Sequence, residues 1–276
     1  ENTYKEEEAI IAANQQDEET VDKDFVVCSL DLLAAIVDAL GPTVESLVKE
    51  SKLLGALVRC AQDNDAHDVK QSAFGLVGDL AKTCIGHLRE VLQPLVPVLI
   101  LSINANHVGS CNNAIWALGE IAMQVKKDIG PFIAETLKRV VPLMQNQSLN
   151  AGLLENTAIT LGRLGLVCPE NVAPAIGAFC KTWCVCLRSI RNEVEKDHAY
   201  RGLCQMIRVN PNGVVTDFAF VVDAMVNFPT AKPELKMEFV TLLRGFKQGM
   251  GETQWNNYVA QFPAQSQQVL RQEFKL

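Results

Sequence analysis

The sequence predicts an all-α chain built as a row of stacked helix pairs, and three observations carry that expectation. Leu, Val, Ala and Ile dominate 276 residues that are 48% apolar and only 6% aromatic, a balance that favours helices over a sandwich or a barrel. Apolar residues recur at helical spacing along most of the chain. Four segments also line up with one another: "SLDLLAAI" (29–36), "AFGLVGDL" (73–80), "AIWALGEI" (114–121) and "TAITLGRL" (157–164), with a weaker fifth, "AYRGLCQM" (199–206). Their starts lie 44, 41, 43 and 42 residues apart. That is the period of HEAT or armadillo arrays, whose units bury their apolar faces only by stacking on neighbours. The expected fold is a HEAT-repeat α-solenoid, a superhelical array of antiparallel helix pairs.

Taken in order, residues 1–21, with "KEEEAIIAANQQDEET", are acidic and lack a core pattern, as a linker or disordered tail would. About six helix pairs are expected over 22–250. The repeated segments are the second helices. The text between them, such as "REVLQPLVPVLILSI" and "IGPFIAETLKRVVPLM", supplies first helices that a proline starts or bends. Polar or acidic residues open several second helices, as in "HDVKQSAF" and "EKDHAYRG". Turns fall at Gly41-Pro42, Cys168-Pro169 and "NPNG" (210–213). Residues 251–276 lose the repeat spacing, as capping helices do.

Reading down the aligned second helices gives three polar columns. One holds Asp31, Gly75, Trp116, Ile159 and Arg201. The next, four residues on, holds Ala35, Asp79, Glu120, Arg163 and Gln205, and the third holds Cys28, Ser72, Asn113, Asn156 and His198. Residues four apart share a helical face. The stripe is therefore expected to line the concave groove, with Trp116 and Ile159 as apolar anchors. The neighbouring column of Ala34, Gly78, Gly119 and Gly162 is small, which lets helices approach closely. Trp183, among apolar residues on a first helix, is expected in the core.

Composition narrows the function further. The net charge of −7 argues against a nucleic-acid surface and for a basic partner. The nine cysteines sit mostly in apolar helical runs and read as reduced and buried. The apolar run "LQPLVPVLILSI" falls short of the roughly 18–20 residues that span a bilayer, so no membrane partner is expected. With no signal peptide and no initiator Met, the chain is expected to begin partway through a longer protein. The four histidines show no metal spacing, and Cys180, Cys184 and Cys186 lack a matching distal pair. "GLVGDLAK" lacks the ending of a phosphate loop. No cofactor, metal or enzyme activity is expected.

The strings "DKDFVVCSLDLL", "VKQSAFGLVGDLAK", "CNNAIWALGEIA", "LLENTAITLGRLG" and "EKDHAYRGLC...VNPNG" resemble the C-terminal third of the transportins, nuclear import receptors of the importin-β superfamily. The resemblance runs from about residue 22 onward. It implies binding of cargo proteins, RNA-binding proteins among them, through proline-tyrosine nuclear localisation signals. This segment would receive the signal's N-terminal basic or hydrophobic part. It implies contacts at Trp116, Asp79, Asn156 and Ile159, followed by Gln71, Asp31 and Asp38; the columns add Asn113 and Glu120. Ran-GTP and nucleoporins would bind through parts lying upstream, and the receptor would shuttle between cytoplasm and nucleus. The alternative is a generic HEAT scaffold for a multiprotein complex, using its turns and needing no Trp116.

Overall fold

The computed structural model describes residues 2–12, 22–146 and 148–276. Among them every regular element is helical. The chain divides into two compact units, Glu1–Gln124 and Val125–Leu276.

In the first unit α1 (Asn2–Ala12) and α2 (Asp24–Leu40) are followed by α3 (Glu45–Glu50), α4 (Leu53–Gln62) and α5 (His67–Leu88). Then come α6 (Leu92–Leu101) and α7 (Val108–Val125), whose last residue opens the second unit. Helices α2, α5 and α7 carry the repeated segments. Gly41 ends α2 at φ +54°, a left-handed conformation that glycine takes without a Cβ penalty.

Part of the expected tail is structured. Tyr4 of α1 is buried, and its hydroxyl donates to Asp63 Oδ2 at 3.0 Å. Lys23 Nζ reaches the same oxygen at 2.6 Å. One aromatic side chain with a satisfied hydroxyl is what the acidic composition concealed. Residues 13–21 of that expectation lie outside the described residues.

The polar caps are distributed unevenly. At the start of α5 the cap position is Ala66 and no side chain caps the helix; Asp63 Oδ1 accepts from Asp65 N and Ala66 N at 3.2 Å each in the turn that precedes it. Asn150 and Asn192 cap the helices of the second unit through their side chains.

The membrane expectation needs correction as well. Two continuous helical stretches, Asp24–Glu50 and His67–Leu101, are long and apolar enough by length and composition to cross a membrane. The first is interrupted by a 3-10 turn at Gly41–Val44 and the second by one at Arg89–Val91. Each is thus a pair of shorter repeat helices joined end to end.

The second unit contains α8 (Gly130–Gln145), α9 (Ala151–Val167), α10 (Pro169–Val172), α11 (Cys180–Ser189) and α12 (Glu193–Val209). It continues with α13 (Phe218–Val226), α14 (Pro233–Met250), α15 (Glu252–Val259) and α16 (Ala264–Gln268). Trp183 is fully buried, and its Nε1 donates to Ala158 O at 2.9 Å, so the indole is both packed and satisfied. Helices α9 and α12 cross at backbone contact. A Cβ on Gly202 would stand 1.9 Å from Gly162 O, and one on Gly162 would stand 2.4 Å from Ala199 Cα. Only glycine admits that approach. Trp255, Leu270 and Phe274 close off the last helices in the core.

All nine cysteines are free thiols, and seven are buried. Cys28 departs from the expectation: it is exposed on α2.

Candidate functional site

The first unit gathers seven of the nine residues singled out in the sequence. On α5, Gln71, Gly75, Asp79 and Lys82 form one face, each three or four residues from the next, with Gly78 beside them. On α7 the facing residues are Gly109, Asn113, Trp116 and Glu120. Small residues on one helix receive large ones from the other. The Trp116 ring lies against the backbone at Gly78, where a Cβ would be 2.1 Å from Cζ3. The Gln71 side chain lies likewise against Gly109. Asn113 Nδ2 donates to Gln71 O at 2.9 Å, so this amide braces α7 on α5 and is partly committed within the protein.

Trp116 is half-buried. Its indole is held at one edge and open over part of its surface, and Lys82 Nζ stands 5.8 Å from the ring centroid. Lys82 also lies 3.8 Å from Asp79 Oδ1. The same cation therefore approaches the carboxylate and the aromatic face together.

Asp79 has a side-chain exposure of 19%. Its pKa is raised, first by loss of solvent. Lys82 partly offsets this, and the carboxylates of Asp38 and Glu120 raise it further. Asp38 is exposed on α2, and Glu120 is buried at 8%. The three acids sit on three different second helices, and the repulsion of Asp79 by Asp38 and Glu120 favours a positive charge brought beside it. Asp31, two helical turns before Asp38, is exposed.

The remaining two residues lie on α9 in the second unit. Asn156 is half-buried. Ile159 is 1% exposed, which corrects the expectation of a surface anchor. Most of α9 from Thr157 to Leu164 is buried on every side, so its column position does not bring this side chain to solvent. Glu120 is corrected in the same sense: it is a buried contributor of charge, with little surface of its own.

The polar columns of the second unit are cross-linked. Arg163 Nη2 meets Glu195 Oε1 at 3.3 Å, and Arg201 Nε meets Asp197 Oδ2 at 2.7 Å. Glu238 takes Arg208 at 3.0 Å and Arg201 at 3.5 Å. Sequence reasoning overlooked Lys82. Its signal was present, a cation one helical turn after Asp79 on the same face.

No family model matches the chain. It is 42% identical over 245 residues to human transportin-1, covering 89% of this chain and 27% of that protein. It is 41% identical over 251 residues to mouse transportin-1, covering 91% of this chain and 28% of that protein. Against importin subunit beta-2 of Schizosaccharomyces pombe the identity is 32% over 237 residues, covering 85% of this chain and 26% of that protein. The chain thus spans about a quarter of the length of the curated relatives it matches. Among solved structures, a computationally designed armadillo repeat protein for modular peptide recognition superposes with a TM-score of 0.62 at 17% identity. That likeness covers 81% of this chain and 94% of that one, and it concerns the fold.

Proposed function

We propose that this chain, which corresponds in sequence to a segment of the transportins, is part of a nuclear import receptor and binds cargo through the α5–α7 face. The ligand is the N-terminal basic or hydrophobic part of a proline-tyrosine nuclear localisation signal. The proline-tyrosine pocket and the sites for Ran-GTP and nucleoporins belong to other parts of the receptor, which shuttles between cytoplasm and nucleus. The chain itself has no catalytic role.

One observation carries the reading. A half-open indole stands beside a carboxylate that has lost solvent and is repelled by two other acids. An arginine or lysine from an extended peptide would add charge where it is most favourable, and the aliphatic stem of that side chain would pack on the ring. A bulky apolar residue could use the indole alone. Lys82 already occupies part of this space, so a ligand cation displaces or joins it.

Titration of a fluorescently labelled basic signal peptide, followed by anisotropy, tests the assignment. Trp116→Ala should weaken binding by about 1–3 kcal/mol, the usual range for an aromatic anchor, with the helical circular dichroism unchanged. Equal affinity in a folded variant would remove Trp116 from the site.

A further inference from the structure

In the second unit one imidazole stands among cations. His198 lies on α12 in the same polar column as Asn156, and it is half-buried. Its Nδ1 is shut off from solvent with no hydrogen-bond partner, a group that folded proteins seldom leave unmatched. The crossing of α9 on α12 brings Arg163 to it. Gly162 lies against Ala199, so Arg163, next on α9, and His198, preceding on α12, flank one contact. Arg163 is 3% exposed, and its Nη2 reaches Glu195, one helical turn before His198.

Two lysines act on the same ring: Lys126, in the turn ahead of α8, and Lys232, just ahead of α14. Burial first, then Arg163, then Lys126 and Lys232 lower the pKa of His198, against the pull of Asp197. Lys126 has φ +55°, a left-handed backbone that a residue with a Cβ adopts at a cost. Strain of that kind gathers at binding and switch sites. The nearby acids are already engaged, Glu195 with Arg163 at 3.3 Å and Asp197 with Arg201 at 2.7 Å. Lys126 and Lys232 are exposed and make no ion pair among the described residues. Positive charge is thus in excess around His198, in a chain whose net charge is −7. The imbalance is the reverse of the one at Asp79.

We propose that His198, Arg163, Lys126 and Lys232 form an oxyanion site of the second unit, which takes the carboxylate or phosphate group of an acidic protein segment. A half-buried imidazole flanked by cations stays neutral until an anion arrives. The anion offsets the cations, His198 takes up a proton, and the charged ring donates to the bound oxygen. Binding is therefore coupled to proton uptake and strengthens on acidification. The site differs in place and in sign from the α5–α7 face, and it stands whether or not that face binds cargo.

Anisotropy of a fluorescently labelled polyglutamate peptide tests the site in the whole chain. Its affinity should rise at least about threefold from about pH 7.5 to about pH 5.5. His198→Gln should flatten that profile and weaken binding about three- to tenfold at the lower pH. Because His67, His87 and His107 belong to the first unit, a flattened profile in this variant assigns the proton to His198. Lys126→Gly removes a cation and relieves the left-handed backbone, so it should weaken the peptide by a similar factor without lowering the melting temperature. A basic signal peptide should bind both variants as it binds the parent chain, which keeps this site separable from the α5–α7 face. Competition by inorganic phosphate would assign the phosphate group as the ligand, and its failure to compete the carboxylate. Absence of polyglutamate binding would overturn the proposal, as would an affinity that neither pH nor the two substitutions change.

Discussion

In the first unit the acids of the repeated stripe converge on Asp79: Asp38 and Glu120 act on it from two other helices, with Lys82 as the cation at 3.8 Å. In the second unit the equivalent columns hold arginines, each tied to an acid: Arg163 to Glu195, Arg201 to Asp197 and Glu238, Arg208 to Glu238. Packing differs in parallel. Gly78 makes room for the Trp116 side chain, whereas Gly162 and Gly202 make room for backbone. The first arrangement keeps charge imbalance and an aromatic surface available to a ligand. The second uses its charges and its glycines to hold helices together. On the proposed reading one repeat pattern serves recognition in one place and cohesion in another, and the choice lies in whether each column's partner is inside the chain or outside it.

The largest expected effect tests the packing half of this contrast. Gly202→Ala forces a methyl into the Gly162 carbonyl and should cost about 3 kcal/mol of stability, read by urea unfolding. Gly78→Ala meets only an indole that can swing outward. Its stability should change by less than about 1 kcal/mol, while the emission of Trp116 shifts to the red, because Trp183 and Trp255 stay buried. Equal destabilisation by the two substitutions would erase the distinction.

A smaller effect concerns charge. The folded state raises the pKa of Asp79, so ionising it costs stability near neutral pH, and that cost fades as the pH falls. Asp79→Asn should therefore leave the melting temperature unchanged or slightly higher. It should nevertheless weaken a basic peptide by about 1 kcal/mol, more at low salt than at high. In the unsubstituted protein the affinity for that peptide should decline on acidification at a pH above the ordinary aspartate range of about 4, and Asp79→Asn should flatten the decline. A pH-independent affinity would contradict the role given to this carboxylate.

The smallest effect is at Lys82. It is 43% exposed and 3.8 Å from Asp79, a pairing worth little by itself. Lys82→Met should raise affinity for a basic segment by roughly two- to fivefold, by removing the cation that already shares the site. A loss of affinity would show that Lys82 supports the ligand and does not compete with it.

Much of this was legible before any coordinates. A period of 41 to 44 residues is visible in the letters, since stacking requires every unit to repeat the same apolar columns. Trp116, Asn113 and Glu120 could be assigned to one face because helical geometry leaves no other choice. Exposure was less legible. Ile159 and Glu120 share columns with surface residues yet are buried, because how far a helix sinks between its neighbours depends on side chains from several segments at once. Tyr4 was missed for a related reason: a single buried ring gives an acidic stretch no periodic signal.

The sequence alone therefore determined the helical class, the repeat, and which residues of each helix lie side by side, all of which follow from spacing along one chain. The tertiary structure decided which of those residues meet solvent and which charges are already matched. Those outcomes depend on the distances between helices, and such distances are set by whether glycine at a crossing admits backbone, as at Gly162, or an indole, as at Gly78.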